Sequence, residues 1–548
     1  MPVGVTADYV RTAIERNQGR SMVMHVGGVV ASEHPLASQA GASILAAGGH
    51  AVDAAIAANA MMGVVAPMMN GIGGDLFALV YEADTERLHG INGSGWAPAA
   101  LSIEALQARG MSSMPQSGIN SVTVPGAVAA WAKLHERFGR RPFRDLLASA
   151  AHVADEGFPV AEMTAAEWKG SEALLRTDPV ASRVFVPGGR IPRTGHLFRN
   201  VDLAGTYRLL GEEGSETFYR GEVARRILRC SRGHGGALVS ADLAEYDAEW
   251  VTPLATSYRR WTIYELPPNG QGIAALMMLN ILEAFSLGIY GPGSAETLHA
   301  IIEAKKLAYA DLARHVADPA FHLTPETLLS KEYALERAAR IDPEQANPEV
   351  PSGLPDHGGD TTYLSVADRE GNMVSLIQSN FANFGSGVVP EGAGFVLQSR
   401  GGLFKFDPRH PNALAPRKRP LHTIIPGFMS GRGVNIAFGI MGGWNQAQAH
   451  AQFVSNVVDH GMNIQEALEA PRVTKLTFNG CDVMVESRVP LHVRAELAAR
   501  GHDVEVLGSF SSLVGGGQSV MRDCTTDVNY GASDPRKDGA AVPQPSLP

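Results

Sequence analysis

The chain has 548 residues, with 46 Lys and Arg against 56 Asp and Glu, a formal charge of −10. Apolar residues make up 45% and charged residues 19%, a globular balance that excludes a disordered chain, and the mild acidity argues against nucleic acid as a partner, because phosphate binding needs clustered Lys and Arg. Sixty glycines without a Gly-X-Y period exclude collagen, and three widely spaced cysteines (Cys230, Cys481, Cys524) cannot pair without leaving one over.

The first twenty-one residues, MPVGVTADYVRTAIERNQGRS, carry Asp8 and Glu15 and no apolar stretch. This predicts no secretory signal, and hence a cytoplasmic, soluble protein. Met22–Val30 reads as a first strand. His34-Pro35-Leu36 opens a helix that runs to the glycine stop Gly48-Gly49, and a second helix spans Asp53 to Met62. The apolar run Ala51–Met69 contains Asp53, Asn59 and Pro67, so it reads as a buried helix and not as a membrane span. The glycines at 71, 73 and 74 precede a strand at Leu76–Tyr81, with a return strand at Arg87–Asn92. A helix follows Pro125-Gly126. The middle third, about 140–290, reads as mostly helical, and 295–314 is amphipathic with Ser294 as N-cap.

NPEVPSGLPDHGG at 347–359 reads as an exposed loop. Thr361–Ala367 and Met373–Ser379 then form a hairpin, expected half-buried from its alternation of polar and apolar residues. A helix at about 446–459 and strands near 434–440 and 482–487 complete a layered α/β protein whose tail after Arg536 is expected to fray.

Most local motifs are weak. Gly71-Ile72-Gly73-Gly74 lacks the GK[ST] of a phosphate loop and reads as a tight turn. Arg417-Lys418-Arg419 reads as a solvated loop, the 18 His show no ligand spacing, and CxxC, HExxH and GxSxG are all absent.

The informative block is Gly358-Gly359-Asp360-Thr361-Thr362-Tyr363, where a flexible loop meets a strand whose first residue is Thr. With HPLASQAG at 34–41, GGHAVDAAIA at 48–57, NGIGGD at 70–75, TVPGAVAAW at 123–131, EAKKLAYAD at 303–311, TTYLSVADREGNMVSL at 361–376, FGSGVV at 384–389, RPLHTIIP at 419–426, GGW at 442–444 and YGASDPR at 530–536, the chain resembles the γ-glutamyltranspeptidase family of N-terminal-nucleophile hydrolases. The resemblance implies a four-layer αββα fold. It also implies a precursor cleaved between Asp360 and Thr361 into residues 1–360 and 361–548, which stay together as a heterodimer, with further oligomerisation left open. Thr361 would be the nucleophile and, once its α-amine is free, its own base, because an amide nitrogen is not basic and an amine is. Ser379 would support it, and the Gly442 and Gly443 N–H groups would form the oxyanion hole. No cofactor and no metal is needed, and the partner is a small-molecule amide.

The pocket departs from the family pattern. Ser94 stands where an Arg reads the α-carboxylate, and His422-Thr423 replaces a pair of Ser. Phe381, Arg400 and Leu403 stand where the family holds the α-ammonium. An Arg there repels an ammonium, by several kcal/mol at about 4 Å and intermediate dielectric. The expected substrate is therefore an amide of an acyl group without an α-amine, oxamate-like or another, with Arg400, His422, Thr423 and Ser94 as binding residues. The alternatives are a genuine γ-glutamyltransferase or glutathione hydrolase, and a non-catalytic binding protein on the same fold.

Overall fold

The computed structural model describes residues 16–350, 360–475, 477–478 and 480–546. Its centre is a pair of seven-stranded antiparallel sheets. The first runs, edge to edge, Ala540–Pro543, Val29–Ser32, Asp360–Ala367, Met373–Phe381, Asp75–Glu82, Arg87–Gly93 and Glu249–Val251. The second runs Val23–His25, Val528–Ser533, Gly517–Asp523, Val434–Ile440, Gly427–Gly431, Trp261–Glu265 and Leu254–Tyr258. Side chains alternate across a strand, so each sheet has two faces to bury. Val29, Phe77, Tyr363 and Ile377 of the first sheet meet Phe428, Ala437 and Val520 of the second in a shared core. Leu364, Val366 and Leu376 point the other way, onto a helix layer that includes Ala51–Val65. Ile436 and Phe438 pack outward against the helices Gly272–Leu282, Ala295–His315 and Gln446–Val458. The layers are helix, sheet, sheet, helix, as the sequence predicts.

The helix Ala51–Val65 shows how local chemistry seats this architecture. His50 and Asp53 cap its first turn reciprocally: Val52 N–H donates to His50 Nδ1 at 3.1 Å, and His50 N–H donates to Asp53 Oδ2 at 2.9 Å. Every residue of the helix is buried, because it lies between the first sheet and a further helix layer.

The structure corrects several sequence expectations. Met22–Val30 is not one strand. Val23–His25 joins the second sheet and Val29–Ser32 the first, and the chain crosses between sheets at Gly27-Gly28. A Cβ on Gly28 would lie 3.0 Å from the Ala367 carbonyl oxygen and 2.4 Å from the end of the Leu45 side chain, which would have to shift, so glycine eases the crossing. The 361–379 hairpin is buried on both faces, since it lies in the interior of the first sheet. The mostly helical middle third also holds three strands between Glu249 and Glu265, before the helix Gly272–Leu282. The described tail is ordered into the fold: Ala540–Pro543 forms the edge of the first sheet, and Gln544 N–H donates to Gly28 O at 2.8 Å. Of the basic run, Lys418 and Arg419 are buried. Arg419 is held by Ser94 O at 3.1 Å and Glu249 at 2.8 Å, and Lys418 by Pro411 O at 2.6 Å. Residues 351–359 of the expected exposed loop lie outside the described residues.

Candidate functional site

Thr361 lies at the start of an interior strand, fully buried in the intact chain. Its pairing with the returning strand is irregular. Asp360 pairs with Phe381 and Thr362 with Gln378, so Ser379 and Asn380 together oppose Thr361. Such a bulge re-aims side chains at a strand end. Phe381, where the ladder recovers, has φ 78°, a strained value for a residue with a Cβ. The result is that Thr361 Oγ1 donates to Ser379 Oγ at 3.2 Å, while Ser379 Oγ accepts the Phe381 N–H at 2.8 Å. Gln446 Nε2, from the first turn of the helix Gln446–Val458, reaches Thr361 Oγ1 at 3.5 Å. Glycine lets the next segment close in: a Cβ on Gly74 would lie 2.4 Å from Ser379 O.

These residues belong to a closed ring of contacts. From Thr361 it passes through Ser379 to Phe381, whose ring lies 4.6 Å from the Arg400 guanidinium. Arg400 Nη1 donates to Thr423 Oγ1 at 2.6 Å. Gln271 Nε2 then donates to both the Thr423 carbonyl and the Gly443 carbonyl, the latter at 2.8 Å. Beyond Gly443 the turn leads to Gln446, which returns to Thr361. Gly442 and Gly443 have φ 131° and 56°, the left-handed region that favours glycine, and among the described residues neither of their N–H groups is taken by a hydrogen bond. The ring therefore joins a threonine hydroxyl, two open backbone donors and a guanidinium.

The guanidinium is only partly engaged. Arg400 is fully buried, yet its Nε and Nη2 have no hydrogen-bond partner among the described residues. Burial pushes it down to about 9, partly offset by the charge of Asp75, so it stays cationic at neutral pH. Leu403 is buried and apolar, and neither it nor Phe381 offers a carboxylate to an ammonium.

Sequence reasoning gave Asp75 no role, although it ends the quoted NGIGGD. It pairs directly across the sheet with Ser379. Its Oδ1 accepts the Gly95 N–H at 3.1 Å, and its Oδ2 lies 3.0 Å from His422 Nε2. Burial drives Asp75 up to about 7 against the opposing pull of Arg400. His422 Nδ1 accepts the Ile424 N–H at 3.4 Å, so the ring is neutral with its proton on Nε2, and burial together with Arg400 holds it well below its ordinary range. His422 is therefore paired with Asp75 and carries no charge of its own. Ser94 is held one layer back: its hydroxyl donates to Asn92 Oδ1 at 2.7 Å and accepts from Asn269 Nδ2 at 3.1 Å. A charged residue between two glycines and an apolar strand was the signal for Asp75. Gln271 and Gln446 carried none, since amides at helix starts are commonplace.

Among the described residues one His and Glu cluster has metal-like spacing, His299, Glu303 and His502. Its ligand atoms are already committed. His299 Nδ1 lies 2.8 Å from His502 Nε2, Glu303 is paired to Lys306 at 2.6 Å, and Lys306, Lys475 and Arg500 make the surroundings cationic. That charge set disfavours a metal dication. A surface cavity of about 750 Å³ lined by Ser294, His460, Arg488 and His492 is separate from the Thr361 ring.

Comparison with known proteins places the fold and the family. The model of the γ-glutamyltranspeptidase family matches residues 37–544. The glutathione hydrolase-like YwrD proenzyme of Bacillus subtilis (strain 168) is 36% identical over 520 residues, covering 94% of this chain and 98% of that protein. The oxamate amidohydrolase proenzyme of Klebsiella pneumoniae subsp. pneumoniae is 35% identical over 527 residues, covering 94% and 98%. Among solved structures, cephalosporin acylase from Bacillus halodurans superposes with a TM-score of 0.91 at 43% identity, covering 98% of this chain and 99% of that one. With its paired antiparallel sheets, its Thr-led interior strand and these relatives, the chain belongs to the γ-glutamyltranspeptidase family of N-terminal-nucleophile hydrolases.

Proposed function

We propose that the protein is a self-processing amidohydrolase that works through an acyl-threonine intermediate on amides whose acyl group carries a carboxylate and no α-amine. The observation that carries the substrate class is the fully buried Arg400 with its Nε and Nη2 open, a planar fork suited to a carboxylate. In processing, the Thr361 hydroxyl attacks the Asp360 carbonyl, its proton passes to the departing amide nitrogen, and an ester replaces the amide. Water cleaves the ester, leaving the Asp360 carboxylate on residues 1–360 and a free amine on Thr361. The two fragments stay together because their strands alternate in one sheet: Val29–Ser32 and Asp75–Glu82 flank the Thr361 hairpin on either side.

In turnover the freed amine, with a reference pKa of about 7.7–8.0, takes the hydroxyl proton as Thr361 attacks the substrate carbonyl. Ser379 orients the hydroxyl, and the open Gly442 and Gly443 donors receive the oxyanion. The amine product leaves with that proton, and water releases the acid. No cofactor enters any step. An ammonium on the acyl group is disfavoured because the available carboxylate, Asp75, already has both oxygens engaged.

Three p-nitroanilides test the assignment. Glutaryl-p-nitroanilide has the carboxylate alone, γ-glutamyl-p-nitroanilide adds the α-amine, and butyryl-p-nitroanilide lacks both. Fastest release of p-nitroaniline from the glutaryl compound is expected. Preference for the γ-glutamyl compound would overturn the pocket assignment in favour of a genuine γ-glutamyl enzyme, and no turnover of any amide by fully processed protein would favour a binding protein.

A further inference from the structure

The acyl pocket is charge-balanced before any substrate arrives. Above about pH 7 Arg400 supplies one positive charge and Asp75 one negative charge, and His422 is neutral. The other groups facing Asp75 do not change the sum. Arg419 is paired to Glu249 at 2.8 Å, and the phenols of Tyr219 and Tyr246 are held protonated by burial. Arg400 and Asp75 share no hydrogen bond among the described residues, so the open N–H groups of Arg400 are not taken up by the aspartate. A carboxylate docked there brings a second negative charge into a space with one cation, walled off from water.

We propose that the Asp75–His422 pair takes up one proton from solvent when an acyl carboxylate docks on Arg400, which lets this site accept an anionic acyl group without a net buried charge. The inference rests on the carboxylate reading above. Its physical basis is the position of Asp75 between two opposing influences. Burial favours the protonated acid, and Arg400 is the strongest group opposing it. A substrate carboxylate neutralises Arg400 and so removes that opposition, and the proton then binds more tightly than in the empty site. The two groups of the pair are 3.0 Å apart, so the proton belongs to the pair and not to one atom of it. Asp75 does not touch the substrate. It is a positioning residue that matches the charge of the pocket to its ligand.

The test is the ratio of kcat/KM for glutaryl-p-nitroanilide to that for butyryl-p-nitroanilide, measured from pH 6 to pH 8 on the processed enzyme. Groups that both substrates need, the Thr361 amine among them, cancel in the ratio. The glutaryl carboxylate is ionised throughout. The ratio should be flat below about pH 7 and fall by about tenfold per unit above it, as expected for one proton bound with the substrate. In Asp75→Asn the ratio should lose its pH dependence. A flat wild-type ratio with the glutaryl compound still preferred would overturn this inference and leave the carboxylate reading standing, whereas no glutaryl preference at any pH would remove the reading itself. A slope that persists in Asp75→Asn would assign the proton elsewhere. If that variant fails to mature, calorimetry of glutarate binding to the wild-type enzyme at pH 8, in two buffers of different ionisation heat, counts the proton directly. One proton supports the inference and none contradicts it.

Discussion

Two buried arginines separate structure from site in this molecule. Arg536, in the C-terminal segment, is saturated. Its Nε donates to Glu486 at 2.8 Å, its Nη1 to Leu468 O at 2.9 Å, and its Nη2 to Glu486 at 2.6 Å and Ala470 O at 2.9 Å. Burial alone would lower it, yet the carboxylates of Asp534 and Glu486 carry it above its ordinary value. Arg400 is equally buried, donates through one nitrogen to Thr423, and is held below its ordinary value because Asp75 offsets burial only in part. Removing a buried charge that has all its partners strands those partners in the interior. A buried charge left half-open is costly to keep, and function is the physical reason to keep it.

Substitution at each arginine should separate the two roles. Arg400→Met should lower kcat/KM for glutaryl-p-nitroanilide by about 10²–10³-fold, the worth of two charge-assisted hydrogen bonds, while butyryl-p-nitroanilide changes little. Its unfolding free energy in urea should stay within about 1 kcal/mol of wild type, because an incompletely partnered charge is replaced by an apolar chain. Arg536→Met should do the reverse. It strands Asp534 and Glu486 and should cost about 3–5 kcal/mol of stability, with the glutaryl-to-butyryl ratio unchanged in the enzyme that folds. Equal loss of stability at both positions would end the distinction. Ser379→Ala should slow both processing and turnover by about tenfold, the value of one hydrogen bond, read from the rate of fragment appearance and from kcat. Finally, kcat/KM for the butyryl compound should rise with pH through about 7.7–8.0 as the Thr361 amine loses its proton.

The saturated region and the open one were legible in the sequence to different degrees. The order of motifs identified the family, and the helix start at Ser294 followed from capping chemistry, whereas the helix read from Asp53 begins two residues earlier, at Ala51, behind the His50 cap. Thr361 and Ser379, expected together, lie 3.2 Å apart, and Arg400 and Thr423 lie 2.6 Å apart. The tail strand Ala540–Pro543 was missed because four residues carry no readable period and their pairing is decided by Val29–Ser32, more than 500 positions away. The crossing at Gly27-Gly28 was missed for a related reason: one apolar run served two sheets. Asp75 was missed because its meaning is electrostatic. Only the fold shows that it lies across from Ser379 and within the field of Arg400.

The central claim is that Thr361 becomes an N-terminal nucleophile by cutting its own chain, and intact mass under denaturing conditions tests it most directly. Freshly purified protein should give two fragments, residues 1–360 and 361–548, with Thr361 as the new N-terminus, and Thr361→Ala should remain whole. A wild-type chain that stays at 548 residues on long incubation would contradict the account, because the base that the chemistry needs would never be formed.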